Sequence, residues 1–230
     1  MDDRPAGIAA VAALAEPTRR RLYDYVVRSA DPVSRDAAAA AAGVPRATAA
    51  FHLDRLVEDG LLEAHFQRLS GRTGPGAGRP AKLYQRSGCT VTVSLPERRY
   101  DLAGDLLAAA LVEADASGEA PRRVLERSAR RRGQELGGVA RAADEGARAR
   151  DVVLGLLEDH GFEPRFEDDD LLLANCPFHT LAQAHPDLVC GMNLNLLGGV
   201  LEGVPGTGLV ADLQPEPGRC CVRLHPGGNG

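Results

Sequence analysis

The sequence contains no CxxC pair, no HExxH, no glycine-rich phosphate loop and no apolar run long enough to span a membrane. Each absence excludes something. Zinc ribbons draw their ligands from two tight knuckles, so an ordinary ribbon is not expected. Without HExxH or a phosphate loop, and with no cysteine next to a neighbouring base in sequence, an enzyme has no support and none is expected. The opening MDDRPAGIAAVAALAEPTRR sets acidic residues before its apolar stretch and a Glu-Pro soon after, which fits neither a signal peptide nor a membrane span. A cytoplasmic chain without a membrane partner is the expectation. Lysine is nearly missing as well: Lys82 is the one lysine among 27 basic residues, and no function follows from that.

A disulfide framework is also excluded. The five cysteines, at positions 89, 176, 190, 220 and 221, are odd in number and all lie beyond residue 88. In a cytoplasmic chain such cysteines point to metal binding or redox chemistry.

What is present is the composition of an ordinary globular protein, 44% hydrophobic and 26% charged, with 230 residues giving room for two modest domains. The net charge of −5 conceals an asymmetry. Residues 1–88 carry 13 basic and 10 acidic side chains, a balance of +3, whereas residues 89–230 carry 14 and 22, a balance of −8. A basic module joined to an acidic one fits a reader of polyanions attached to something else.

Helical spacing of Ile8, Val11 and Leu14, and then of Leu22, Tyr25 and Val26 after Pro17, predicts two helices or one kinked helix over residues 7–29. Ser34 is placed to cap a short alanine-rich helix that ends at Gly43. Pro45 suits the first turn of a third helix, and the run PRATAAFHLDRLVEDG stops at Gly60. Leu61 and Leu62 lead into a strand, and the breaker-rich segment SGRTGPGAGRPAKLYQRS reads as a basic β-hairpin.

Helix, helix, glycine turn, helix and basic hairpin is the order of a winged helix-turn-helix, whose third helix enters the major groove of double-stranded DNA. With Leu53 at the centre of the core face, about 100° per residue puts Ala49, Leu56 and Val57 beside it. Thr48, Phe51 and Arg55 fall opposite, with His52 between. Arg46 and Thr48 are therefore candidates for base contacts, Phe51 and His52 for packing on bases or sugars, and Arg55 for phosphate. Arg72, Arg79 and Lys82, with Arg68, are candidates for phosphate contacts from the hairpin.

The stretches LAEPTRRRLYDYV, GVPRATAAFHLDRLVEDGLLE and GAGRPAKLYQRS resemble the winged-helix regulators called ArsR-like, over roughly the first 90 residues. The resemblance implies a DNA-binding regulator acting as a homodimer. The arsenic-sensing CVC motif of that group is absent, so that chemistry does not carry over.

Beyond residue 88, Ser94 and Glu97 have capping-box spacing with Pro96 between them, predicting a helix of about 20 residues. Its stripe of Leu102, Leu106 and Leu107 suits either dimerisation or packing on its own domain. Helices are expected over Arg122–Gln134 and Arg150–His160, separated by a glycine- and arginine-rich stretch. From Gly161, GFEPRFEDDDLLLANC predicts two strands around an acidic turn, CGMNLNLLGGVLEG a helix, and GLVADLQPEPGRCCVRL a second hairpin. The fold class expected is α+β: a winged helix-turn-helix over 1–88, a helical linker or dimerisation region over 89–160, and a small α+β sensor domain over 161–230.

Between Cys176 and Cys190 lie 13 residues, and between Cys190 and Cys220 lie 29. Ligands so widely spread suggest a site assembled by folding. Cys176 is read at a strand end and Cys190 at a helix start, where free N–H groups favour a thiolate. Strand alternation puts Cys220 on the inward face with Val222 and Leu224, and Cys221 on the outward face with Arg223. The fourth position is open to Cys221, His179 or a non-protein ligand. Thiolates with a possible histidine suit either an iron–sulfur cluster or zinc, and spacing does not separate them. Cys89 stands apart.

The segments LPERRYDLAGDLL, NCPFHTLAQAHPDLVCGMNLNLL and PGRCCVRL resemble the C-terminal half of SufR-type regulators, which are iron–sulfur-sensing repressors. By that resemblance Cys176, Cys190 and Cys220 would bind a 4Fe–4S cluster whose loss or oxidation alters operator affinity. A zinc-dependent or thiol-redox winged-helix regulator is the alternative.

Overall fold

A computed structural model describes residues 4–67, 80–216 and 218–227. The chain divides into two compact units, Met1–Val93 and Ser94–Gly230.

In the first unit, α1 (Arg4–Ala13) and α2 (Pro17–Arg28) are separate helices. The Glu16 carboxylate accepts from the Thr18 and Arg19 N–H groups at 3.0 and 2.5 Å, and so caps α2. A short β1 (Val33–Ser34) runs into α3 (Arg35–Ala42), where the Ser34 hydroxyl accepts from the Ala37 N–H at 3.2 Å. Gly43 ends α3 in the left-handed region at φ 64°, a conformation that glycine adopts without steric cost. α4 (Arg46–Glu58) follows, with Pro45 at its N-cap rather than inside its first turn. β2 (Leu62–Gln67) and β3 (Ala81–Arg86) pair antiparallel from Leu62↔Arg86 to Gln67↔Ala81, and β1 adds on the far side of β3 through Val33↔Tyr84. Leu22, Leu53 and Leu56 are wholly buried at the helix crossings, each worth about 1.5–3 kcal/mol in transfer. The buried Ala38 and Ala49 let α2, α3 and α4 close around them.

The second unit holds α5 (Tyr100–Ser117), α6 (Pro121–Ala143), α7 (Ala149–Asp159), β4 (Pro164–Glu167), β5 (Asp170–Leu173), α8 (His179–Ala184), α9 (Pro186–Gly203), β6 (Leu209–Leu213) and β7 (Val222–Pro226). Its four strands form an antiparallel sheet in the order β4-β5-β7-β6. The acidic turn between β4 and β5 places Asp168 at φ 56°, tolerated because a short polar side chain can bond locally. The helical stretch expected as a linker region shares one core with the strands beyond Gly161: Leu106, Leu125 and Val153 pack in the same cluster as Leu171, Met192 and Leu224.

Two local expectations are overturned here. The Ser94–Glu97 capping box does not form. The Ser94 hydroxyl instead donates to the Pro96 carbonyl at 2.7 Å, and α5 begins only at Tyr100. The backbone of residues 97–99 is spent elsewhere: the Glu97 carbonyl accepts from Asn175 Nδ2 at 3.1 Å, and the Arg99 N–H donates to the Pro177 carbonyl at 3.1 Å. α6 also runs straight through the glycine-rich stretch. Gly133 and Gly137 on α6 face Gly199 and Gly203 on α9, and a Cβ built on any of the four would sit 2.0–2.6 Å from a backbone oxygen of the opposite helix. Helix propensity disfavours each glycine by about 1 kcal/mol, and the close crossing offsets it.

Candidate nucleic-acid interface and cysteine cluster

α4 has the two faces that its sequence requires. Ala49, Leu53 and Leu56 are buried, while Arg46, Ala47, Phe51, Arg55 and Glu58 are exposed and Thr48 is half-buried. Phe51 is 64% exposed and so spends its ring on no neighbouring helix. The Arg46 guanidinium meets the Asp36 carboxylate at 2.8 Å, but both side chains are about 70% exposed, which leaves the pair screened and weak. Arg55 pairs with Asp59 at 3.0 Å and with Glu58 at 3.4 Å.

His52 belongs to the helix packing and not to the outer face. Its side chain is 13% exposed, with Nδ1 accepting from Arg19 Nε at 3.4 Å and lying 3.7 Å from the Glu16 carboxylate. This corrects its place among the base-packing candidates: the angular position between faces turns the ring toward α2. Arg68, Arg72 and Arg79 lie outside the described residues.

Lys82 is likewise engaged. Its ammonium donates to Asp54 Oδ1 at 2.6 Å and lies 5.3 Å from the Tyr84 ring centre. Tyr84, wholly buried, donates its hydroxyl to the same Asp54 oxygen at 2.6 Å and accepts from Arg35 Nε at 2.9 Å. Burial, together with the bond to Asp54, pushes the phenol up to about 12. Burial acts to raise the Asp54 carboxyl, but hydrogen bonds from Lys82 and Tyr84 hold it below the usual range. One carboxylate on α4 thus gathers groups from β3 and α3.

In the second unit four cysteines converge. The Cys220 N–H donates to the Leu173 carbonyl at 3.0 Å, which brings the approach to β7 against the end of β5, three residues before Cys176. Cys176 and Cys220 influence each other's titration, as do Cys220 and Cys221 and, in turn, Cys221 and Cys190, so the four thiols lie in one neighbourhood. Cys176 and Cys220 are buried; Cys190 and Cys221 are half-buried. As strand alternation required, Cys220 shares the inward side with Val222 and Leu224. His179 is exposed at the start of α8, and Cys89 is exposed in the other unit.

The helix-start argument for Cys190 fails. α9 opens at Pro186, so Cys190 is its fifth residue and lies past the free N–H groups. Burial pushes its thiol up, against a smaller lowering by the Cys221 hydrogen bond. The bond to Cys220, then burial, push the Cys176 thiol up. For Cys220 the hydrogen bond from Cys176 lowers the value, yet the bond to Cys221 and burial outweigh it and leave the thiol at about 12. Among the described residues, no group of three or more His, Cys, Asp and Glu side chains is set to hold a metal ion. The residue types, four sulfurs drawn from three segments, have the chemistry of a soft-metal or iron–sulfur site, although their present spacing does not form one.

Comparison with known proteins bears on the first unit. Residues 14–65 match the family model for a helix-turn-helix domain. That span runs from the end of α1 to β2 and contains the Gly43 turn and all of α4. A helix-turn-helix domain points to DNA binding, and α4, with Arg46, Phe51 and Arg55 exposed, is the second helix of its motif. No curated protein and no solved structure matches the chain. No helix among the described residues is long and apolar enough to cross a membrane.

Sequence reasoning missed three parts of the structure. The Asp54 cluster joins residues up to 49 apart, and no local pattern announces it. The Arg98 guanidinium donates to Asn175 Oδ1 at 2.5 Å and to the Cys176 carbonyl at 3.2 Å, fixing the cysteine loop from a segment read as a helix start. Asn193, three residues after Cys190, was readable only as part of a helix; it is buried beside Cys220.

Proposed function

We propose that this chain is a transcriptional repressor that binds operator DNA as a homodimer and holds an iron–sulfur cluster, of the 4Fe–4S kind, on Cys176, Cys190 and Cys220, with Cys221 as the fourth donor. The observation that supports the reading is that four cysteines from three separated segments lie in one neighbourhood of the second unit. Cys221, adjacent to Cys220 in sequence and half-buried, is a better fourth donor than the exposed His179. When bound, such a cluster supplies sensitivity to iron supply and to oxidants. The chain's own residues supply the donors, and Arg98 and Asn175 hold the loop that carries Cys176. Regulation requires that the two states of the site favour different DNA-binding arrangements energetically.

A second reading is a zinc-dependent or thiol-redox regulator without iron: the same soft donors suit zinc, and neighbouring thiols such as Cys176 and Cys220 suit reversible oxidation. Anaerobic purification followed by an absorption spectrum separates the two. A brown protein absorbing broadly near about 400 nm, with iron and sulfide in stoichiometric amounts and colour lost in Cys176→Ser, Cys190→Ser and Cys220→Ser, is expected. A colourless protein holding one zinc supports the second reading, and a protein free of any bound metal overturns both metal-dependent readings.

A further inference from the structure

Asn193 lies on α9 one turn after Cys190, where an i, i+3 pair shares a helix face. Its side chain is 1% exposed. Nδ2 donates to Cys220 Sγ at 3.2 Å, and Oδ1 is buried with no hydrogen-bond partner among the described residues. An amide in an apolar core is costly unless both ends are paired. Here one end is unpaired and the other meets a thiol, which is among the weakest acceptors in proteins. Packing alone would be better served by leucine, of similar volume and without the polar cost. The geometry gains its logic when the sulfur is metal-bound, because a charged sulfur accepts an N–H strongly and such outer hydrogen bonds orient and tune metal ligands.

We infer that Asn193 is a positioning residue for a thiolate-held metal centre, its amide N–H holding the Cys220 sulfur in ligating orientation. The inference rests on the reading of the cysteine cluster given above. It adds a residue outside the ligand set on which the site's affinity depends.

The test is a titration of Co(II) alone into the reduced, metal-free full-length chain, followed by sulfur-to-cobalt charge-transfer absorption, for wild type and Asn193→Leu. Circular dichroism and thermal unfolding of the metal-free proteins run in parallel. The expected result is metal-free stability in Asn193→Leu equal to or above wild type, with cobalt affinity about 10- to 100-fold weaker and a shifted charge-transfer band. Equal affinity and an identical band in the two proteins overturn the role of Asn193 while leaving the cysteine site standing. A wild type that shows no thiolate–cobalt band overturns the cysteine site and the inference together. If Asn193→Leu does not fold, Asn193→Ser decides: its hydroxyl is too short to reach Cys220, so weakened cobalt binding on an intact fold is required. Failure of both variants to fold makes Asn193 a structural residue and sinks the proposal.

Discussion

The crossing of α6 and α9 predicts opposite outcomes for the same substitution at adjacent positions. A Cβ on Gly199 would lie 2.0 Å from the Arg130 carbonyl oxygen, with Arg130 C at 2.9 Å and Gln134 N at 3.0 Å, whereas ordinary contact begins at 3.4 Å. The obstacle is backbone of a facing helix, so no side-chain rotation relieves it, and the helices must part by more than 1 Å. Overpacking a filled core costs about 1–3 kcal/mol, and backbone obstruction belongs at the top of that range. Alanine regains about 0.5–1 kcal/mol of helix propensity, so Gly199→Ala should destabilise the second unit by about 2 kcal/mol or more. Nothing lies within 4 Å of a Cβ on Gly198, next along the same helix, so Gly198→Ala should stabilise by the propensity gain alone. At roughly 3–4 °C per kcal/mol for a unit of this size, calorimetry should show a fall of about 6 °C or more for Gly199→Ala and a rise of about 2–3 °C for Gly198→Ala. Two variants that shift the transition equally, in either direction, would refute the close crossing. Gly137 and Gly138 on α6 offer the same contrast from the other side.

Other outcomes follow from the two units. Phe51→Ala removes an exposed ring, so the thermal midpoint should hold within about 0.5 kcal/mol while affinity for a selected DNA site drops roughly tenfold or more, the scale of one lost base contact; gel-shift titration beside a melting curve reads both. Asp54→Ala strands the buried Tyr84 hydroxyl and the Lys82 ammonium, costing about 1–3 kcal/mol in urea unfolding, whereas Lys82→Met should cost less because Asp54 keeps its bonds to Tyr84 and Arg35. Burial lowers the His160 imidazole below its ordinary 6.5, outweighing the bond its Nδ1 makes to the Leu156 carbonyl at 2.8 Å. Because the unfolded ring takes up its proton first as pH falls, this contribution is complete above about pH 7 and is lost as pH drops below the ordinary value. The difference between wild type and His160→Gln in urea midpoint should therefore shrink from pH 7.5 to pH 5.5, and a constant difference counts against it.

The helix-turn-helix unit was legible because its signals are local. Ser34, Gly43 and Gly60 announce caps and breaks within a few residues of where they act, and α4 displays its core face at helical spacing. The hairpins around Asp168 and before Cys220 were legible for the same reason, as was the inward side of Cys220. Where long-range packing competes with local preference, the sequence misleads. Ser94 and Glu97 have capping-box spacing, but Asn175 and Pro177, some 80 residues on, claim the backbone groups that a helix start would have used. Gly133 and Gly137 look like a helix break until the facing Gly199 and Gly203 supply the reason for them. Cys190 sits one turn inside its helix because Pro186, a residue suited to a first helical turn, opens α9 four residues earlier. Polar partners such as the half-buried Asp54 and the buried Asn193 have no periodic signature, since a lone polar residue in a helix looks the same whether it faces solvent or sulfur.

The carboxylate on α4 that binds groups from β3 and α3 has a consequence for how the reading unit meets a duplex. α4 and the paired strands β2 and β3 beside it are fastened at one point, so they must tilt as one piece. Shifting the angle of either resets the other's distance to the phosphates. Losses from altering the helix and from altering the hairpin should then fail to add, each change having already spoiled part of what the other contributes.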